Sequence, residues 1–160
     1  MFEVFENAVY FGISVSLYNW TLAVSAANEG SSATGINGNQ NDNSVSYSGA
    51  VYLFEFDGIN SWTQTAYIKS SNTQSGILFG YSVALYDTLL VVGAYKEDSS
   101  SILVNGDQTN NGATWAGSAY VFERNNGIWS QTAYLKASNT DEYDFFGNSV
   151  SVSQNIIVVG

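Results

Sequence analysis

The side chains in this sequence that could do chemistry are almost all amides and carboxylates. Asn37, Asn39 and Asn41 sit two residues apart around Gly38, and Asn105 and Asp107 flank Gly106 in the same relation. Oxygens at alternate positions of a glycine-containing loop are how a chain offers several ligands to one calcium ion. The competing use of Asn, Asp and Gly is the turn, in which the side chain bonds nearby backbone. With one carboxylate among five residues, little of a divalent charge is neutralised, so turn architecture is the expected role and a calcium site the alternative. Asp141, Glu142 and Asp144 form a third group, and a carboxylate pair of that kind can run acid–base chemistry on a glycosidic bond. The chain has no His and no Cys, which removes imidazole and thiol catalysis and the common zinc ligand sets. No nucleophile–base pair or phosphate-binding loop is present, so neither catalysis nor a cofactor is expected. Asn19-Trp20-Thr21 is an N-glycosylation triplet, a pattern that also arises by chance.

Composition narrows the partners. Fourteen acids against four bases give a formal net charge of −10. Phosphate backbones need clustered Lys and Arg, so nucleic acid is excluded as a partner, and contact of this segment with an anionic membrane surface is disfavoured. No run of apolar residues is long enough to span a bilayer as a helix. The opening stretch, residues 1–12, has neither the basic flank nor the apolar run of a secretory signal. Aromatics at 15% with charged residues at only 11%, in a background of Ser, Thr, Asn and Gly, suit many short strands joined by polar turns.

The elements that carry these residues recur. The stretch from Gly49 to Val83 returns from Gly117 to Val150 with half of its positions identical, and Phe-Gly pairs stand at Phe11-Gly12, Phe79-Gly80 and Phe146-Gly147. That is an internal repeat with a period near 68 residues, the first thing to establish in any repeat architecture. Each unit reads as four strands: an alternating one after Phe-Gly, a continuous apolar one, one opening at Gly49 or Gly117, and one containing Trp62 or Trp129. The turn at Asn125-Asn126-Gly127 is hairpin chemistry. Residues 1–70 and 71–137 make two units and 138–160 the start of a third. Four-stranded sheets with both faces partly apolar must stack on one another, so the expected fold is all-β, antiparallel four-stranded blades of a β-propeller, about two plus the start of a third. The alternatives, a sandwich or a solenoid, do not need near-identical units of this length.

Within that frame Asp141, Glu142 and Asp144 correspond to Gln74, Ser75 and Ile77, which favours a charged connecting loop over a catalytic pair. The matched aromatics Trp62 and Trp129, Tyr47 and Trp115, and Tyr67 and Tyr134 are expected to pack between sheets. Trp20 has Thr88 and Asn155 as counterparts, and an unmatched aromatic at a hairpin tip is a candidate contact residue. The connection between the second and third strands is long, about 20 residues, and such loops commonly carry function.

The residues Phe79-Gly80-x-Ser82-Val83, Val91-Val92-Gly93-Ala94 and Gly117-x-Ala119-Tyr120-Val121-Phe122 resemble the FG-GAP repeat family, whose members build the seven-bladed propeller of integrin α-chains. The wording is closest to the microbial type of FG-GAP repeat protein. Tyr95 stands where the third letter of the motif is proline, and Ser25-Ala26-Ala27 replaces the motif in the first unit. The family's calcium loops lie between first and second strands; here those connections are the tight turns Tyr18-Asn19-Trp20, Tyr86-Asp87-Thr88 and Ser153-Gln154-Asn155. The resemblance implies a non-catalytic, extracellular or cell-surface adhesion-type module that binds a protein or glycan, with the remaining blades of a longer chain as its other partner. A propeller appended to a secreted enzyme and a cytosolic scaffold are the alternatives.

Overall fold

A computed structural model describes residues 9–160. Residues 1–8 of the opening stretch, which carries no signal-peptide pattern, lie outside the described residues. Ten strands and no helix are found among the described residues. Strands β1 (Phe11–Tyr18), β2 (Thr21–Ala26), β3 (Ala50–Phe56) and β4 (Trp62–Ile68) form a first sheet in that order. Strands β5 (Ser82–Tyr86), β6 (Leu89–Ala94), β7 (Ser118–Asn125) and β8 (Ile128–Leu135) repeat it. Strands β9 (Val150–Ser153) and β10 (Ile156–Val159) make a two-stranded third. All neighbouring pairs are antiparallel, and the register of the second sheet reproduces that of the first, including the bulge between the third and fourth strands.

Local chemistry explains the turns. Asn126 and Gly127 both take positive φ, as a two-residue hairpin turn requires when its twist must match the flanking strands. The corresponding turn of the first sheet is longer and is closed by Asp57, whose Oδ1 accepts the backbone N–H groups of Ile59, Asn60 and Ser61.

The sheets stack face to face, which is blade geometry. One core lies between the first two: Ala23, Leu53, Ala66 and Ile68 of the first sheet meet Leu85, Leu90, Val92, Phe122 and Trp129 of the second. The opposite face of β6 also packs, since Val91 is fully buried, and this accounts for its unbroken apolar run.

The Phe-Gly pairs mark where one sheet crosses closest to the next. Phe79 donates its N–H to Ser48 O, and Phe146 likewise to Ala116 O. A Cβ on Gly49 would fall 2.0 Å from Phe79 O, and one on Gly117 would fall 2.1 Å from Phe146 O. Both glycines also hold positive φ, so the close approach and the backbone turn each demand glycine. In the first unit Ser25 replaces the glycine found at Gly93 and uses its hydroxyl to accept the N–H of Ser14.

Candidate functional site

The long β2–β3 and β6–β7 connections and the β4–β5 and β8–β9 connections gather on one rim of the stacked sheets. Each long connection is docked onto the fourth strand by one asparagine. Asn37 donates its N–H to Tyr67 O and accepts the Tyr67 N–H on Oδ1 at 3.0 Å. Asn105 makes the same two bonds to Tyr134, with Oδ1 at 2.8 Å. Both asparagines sit at positive φ, a conformation Asn tolerates better than most residues. Asn39 Oδ1 accepts the Asn41 N–H, and Asp107 Oδ1 accepts both the N–H and the hydroxyl of Thr109. The structure thus engages oxygens of Asn37, Asn39, Asn105 and Asp107 in turn and docking bonds, and no three acidic, His or Cys side chains among the described residues converge closely enough to hold a metal ion.

Beneath each loop lies a buried ion pair that the sequence reading did not single out. Lys69 Nζ meets Glu29 Oε2 at 2.7 Å, and Lys136 Nζ meets Glu97 Oε2 at 3.1 Å. All four side chains are excluded from water. Burial holds both lysines below the ordinary lysine range, opposed by the adjacent carboxylates. Removing one partner of such a pair costs far more than the pair contributes. These pairs therefore anchor the root of each long loop to the fourth strand and hold the rim in place. The signal for them was in the repeat: Glu29 and Glu97, and Lys69 and Lys136, occupy matching positions.

Above the second of these anchors, the β6–β7 and β8–β9 connections bring together an aromatic cluster. Trp115 meets Tyr143 edge to face with centroids 5.7 Å apart, and Phe145 lies 6.2 Å from Trp115 and 5.8 Å from Tyr95. Tyr81 packs on Tyr95 at 4.3 Å. The ammonium of Lys96 sits 4.5 Å from the Trp115 ring centroid, and Lys96 is the one base of the four that forms no ion pair among the described residues. Trp115 and Tyr143 are both exposed. Tyr143 holds φ at 64° where the matching residue of the preceding unit is Gly76. A bulky side chain in that region is strained, and strain of this kind concentrates at functional sites. Asp141, Glu142 and Asp144 surround Tyr143 on the same loop and are exposed, with Asp144 Oδ2 accepting the Asp141 N–H. Their counterparts diverge, since Ile77 is buried in the core while Gln74 and Ser75 stay near the surface.

The matched aromatics separate into three classes. Tyr67, Tyr134 and Trp129 are buried. Tyr47 and Trp115 do not pack between sheets as expected; they stay exposed on the loop rim because each sits at positive φ on a connection, beyond the reach of the sheet faces. Trp62 is 37% exposed against 6% for Trp129: Trp129 lies in the core between the first two sheets, whereas Trp62, on β4, packs on Phe56 at 5.2 Å on the other face of the first sheet. Of the Phe-Gly residues, Phe79 is fully buried, Phe146 is partly buried and Phe11 is exposed, while Gly12, Gly80 and Gly147 all take positive φ. Ala94 is buried and Gly93 lies against Gly147. On the opposite rim, Asn19 occupies the exposed β1–β2 turn, and Trp20 beside it stacks on Phe56 at 5.4 Å while remaining mostly exposed.

The model of the FG-GAP repeat matches residues 62–122 and 129–160, more than half of the chain. No curated protein matches it.

Proposed function

The chain belongs to the FG-GAP repeat family, and from that premise we propose that it is a non-catalytic, extracellular or cell-surface interaction module of adhesion type. The observation that carries the proposal is the exposed aromatic cluster of Trp115, Tyr143 and Lys96, mounted on loops whose roots are pinned by a buried ion pair. Exposed aromatics and a cation on rigid loops are the means by which proteins hold peptides and sugars, because little side-chain freedom is lost on contact. Function on a propeller belongs to its loops rather than to its fold, and the rim of the long β6–β7 connection bears this cluster. Protein and glycan ligands are both served by this chemistry, and the module needs no cofactor for either. Glycosylation at Asn19, on the opposite rim, leaves the cluster clear.

The test is binding of the labelled chain to immobilised extracellular-matrix proteins and to an array of glycans, with a Trp115→Ala/Tyr143→Ala variant beside it. The expected result is a ligand whose signal falls at least tenfold in the variant while the melting temperature stays within a few degrees. Binding that is unchanged in the variant would move the site elsewhere and overturn the proposal.

A further inference from the structure

The buried ion pair of the second sheet has a third member. Glu97 Oε2 accepts from Lys136 Nζ at 3.1 Å, and Glu97 Oε1 accepts from Asn72 Nδ2 at 3.0 Å. One carboxylate thus bridges an amine and a carboxamide. The Lys136 side chain is wholly excluded from water and that of Glu97 is 1% exposed. The carboxamide is held at its other atoms too: the Tyr120 hydroxyl donates to Asn72 Oδ1, and Gln108 O accepts from Nδ2 at 2.9 Å.

These are the parts of an acyl transfer. An amine attacks a carbonyl only after it has shed its proton. Burial pulls Lys136 below the ordinary lysine range, and Glu97 Oε2 stands within reach of the proton it would give up. Charge developing on Oδ1 as the carbonyl carbon becomes tetrahedral meets the Tyr120 hydroxyl, the placement an oxyanion donor needs. Burial pushes the Tyr120 phenol well up, which keeps it protonated and able to donate. The leaving nitrogen, Nδ2, already faces the same carboxyl group, so the proton taken from Lys136 has a short route to it. Glu97 would serve first as base and then as acid.

We propose that Lys136 and Asn72 condense to an intramolecular isopeptide bond, with Glu97 carrying the proton between them. The Lys136 Nζ–Asn72 Cγ bond forms, the Asn72 Cγ–Nδ2 bond breaks, and the amide nitrogen leaves as ammonia. No oxidant, cofactor or second substrate is needed, and the half-buried position of Asn72 gives the ammonia a way out. The bond joins the end of β8 to the β4–β5 connection, so it fastens the second sheet covalently to the chain that leads out of the first. The other anchor offers its lysine a different neighbour: Lys69 Nζ bonds Ser48 Oγ at 2.7 Å. A hydroxyl is no acyl donor, so Lys69 keeps its free amine. The inference stands independently of any ligand on the loop rim.

Intact-mass spectrometry of the denatured full chain reads the reaction directly. The expected mass lies below the sequence mass by one ammonia, about 17 Da, because the new bond replaces a leaving amide nitrogen. Trypsin should no longer cut after Lys136, whose peptide should appear joined to the one carrying Asn72, while cleavage after Lys69 proceeds. Asn72→Ala removes the electrophile and Glu97→Gln the proton carrier, so both variants should show their full sequence masses. A folded parent chain that keeps its full mass after prolonged incubation at neutral pH overturns the proposal, whatever the variants do. So does a loss of ammonia that persists in Asn72→Ala, or one whose tryptic map leaves Lys136 free, since either places the reaction elsewhere in the chain.

Discussion

The first and second sheets bury the same lysine–glutamate pair in the same place and satisfy it with different partners. In the first, Lys69 adds a bond to Ser48 Oγ at 2.7 Å, and Glu29 accepts the Ser31 N–H. In the second, Ala116 stands in the place of Ser48, and the bonds shift to the carboxylate: Glu97 accepts from the Tyr134 hydroxyl at 2.8 Å, from the Ser99 N–H, and from Asn72 Nδ2 at 3.0 Å. Asn72 belongs to the β4–β5 connection and also accepts from the Tyr120 hydroxyl. The second anchor therefore ties two sheets together, whereas the first stays within its own. The sheet with a neighbour on each side has the networked anchor and carries the exposed aromatic cluster. A buried charge can be met by local or by cross-sheet groups, and the choice sets whether a loop root moves with its own sheet or with the stack.

The largest difference between the two sheets is expected at the matched tryptophans. Trp129 is buried between sheets, and its replacement by Ala should cost about 3–5 kcal/mol, the range for deleting a large core aromatic. Trp62→Ala should cost far less, because part of that ring already faces water. Denaturant melts of both variants decide it: equal losses would mean that the two sheets are packed alike and that stacking does not distinguish them.

A middle-sized effect is expected where the anchors differ. Tyr134 donates to a buried carboxylate, and a hydrogen bond to a charged group is worth about 1.5–3 kcal/mol, so Tyr134→Phe should lose an amount in that range. The Tyr67 hydroxyl is buried near Ser31 and Glu29 but completes no hydrogen bond among the described residues, so Tyr67→Phe should cost less than Tyr134→Phe, because no formed bond is lost. Chemical denaturation at pH 7 measures both. If Tyr67→Phe is as costly as Tyr134→Phe, the anchors are equivalent after all.

These contrasts also mark what the chain discloses before folding. The strands, their order and the stacking follow from the repeat, because Phe79-Gly80, Gly117 and the apolar run of β6 are each demanded by a backbone approach or a two-sided burial that few other residues permit. The role of Asn37 and Asn105 was half legible: their spacing pointed to turns, but only the folded chain shows the side-chain oxygen capping the fourth strand. The ion pairs were hidden because Lys and Glu read as surface residues in any single copy, and burial of a charge depends on partners some 40 residues away. The aromatic cluster was hidden for a related reason. Trp115 and Tyr143 lie on different connections, and Tyr143 breaks the repeat by standing where the other copy has Gly76.

The smallest expected effect lies in the two long loops, which make the same turns with the charge at exchanged positions. Asp42 accepts the N–H and hydroxyl of Ser32, and its counterpart Asn110 accepts the same two groups of Ser100. Conversely Asp107 accepts from Thr109 where the first loop has Asn39 accepting from Asn41. The Ser32 hydroxyl and N–H, with Ser44, hold the Asp42 carboxyl well below the usual aspartate range, and Thr109 lowers Asp107 in the same way. A carboxyl depressed in the folded state stabilises it above the unfolded value near 4, and that contribution is lost as pH falls toward the lower folded value. Each loop should thus loosen in acid through a different residue. Asp42→Asn should remove the acid response of the first loop only, Asp107→Asn that of the second only, and the double variant both, read as amide exchange rates at Ser32 and Thr109 between pH 4 and pH 2. An asparagine at position 42 needs no new geometry, since Asn110 already makes that turn. If the double variant still speeds up in acid like the parent, the amides were never guarded by these carboxylates, and the exchange of charge between the loops is without consequence.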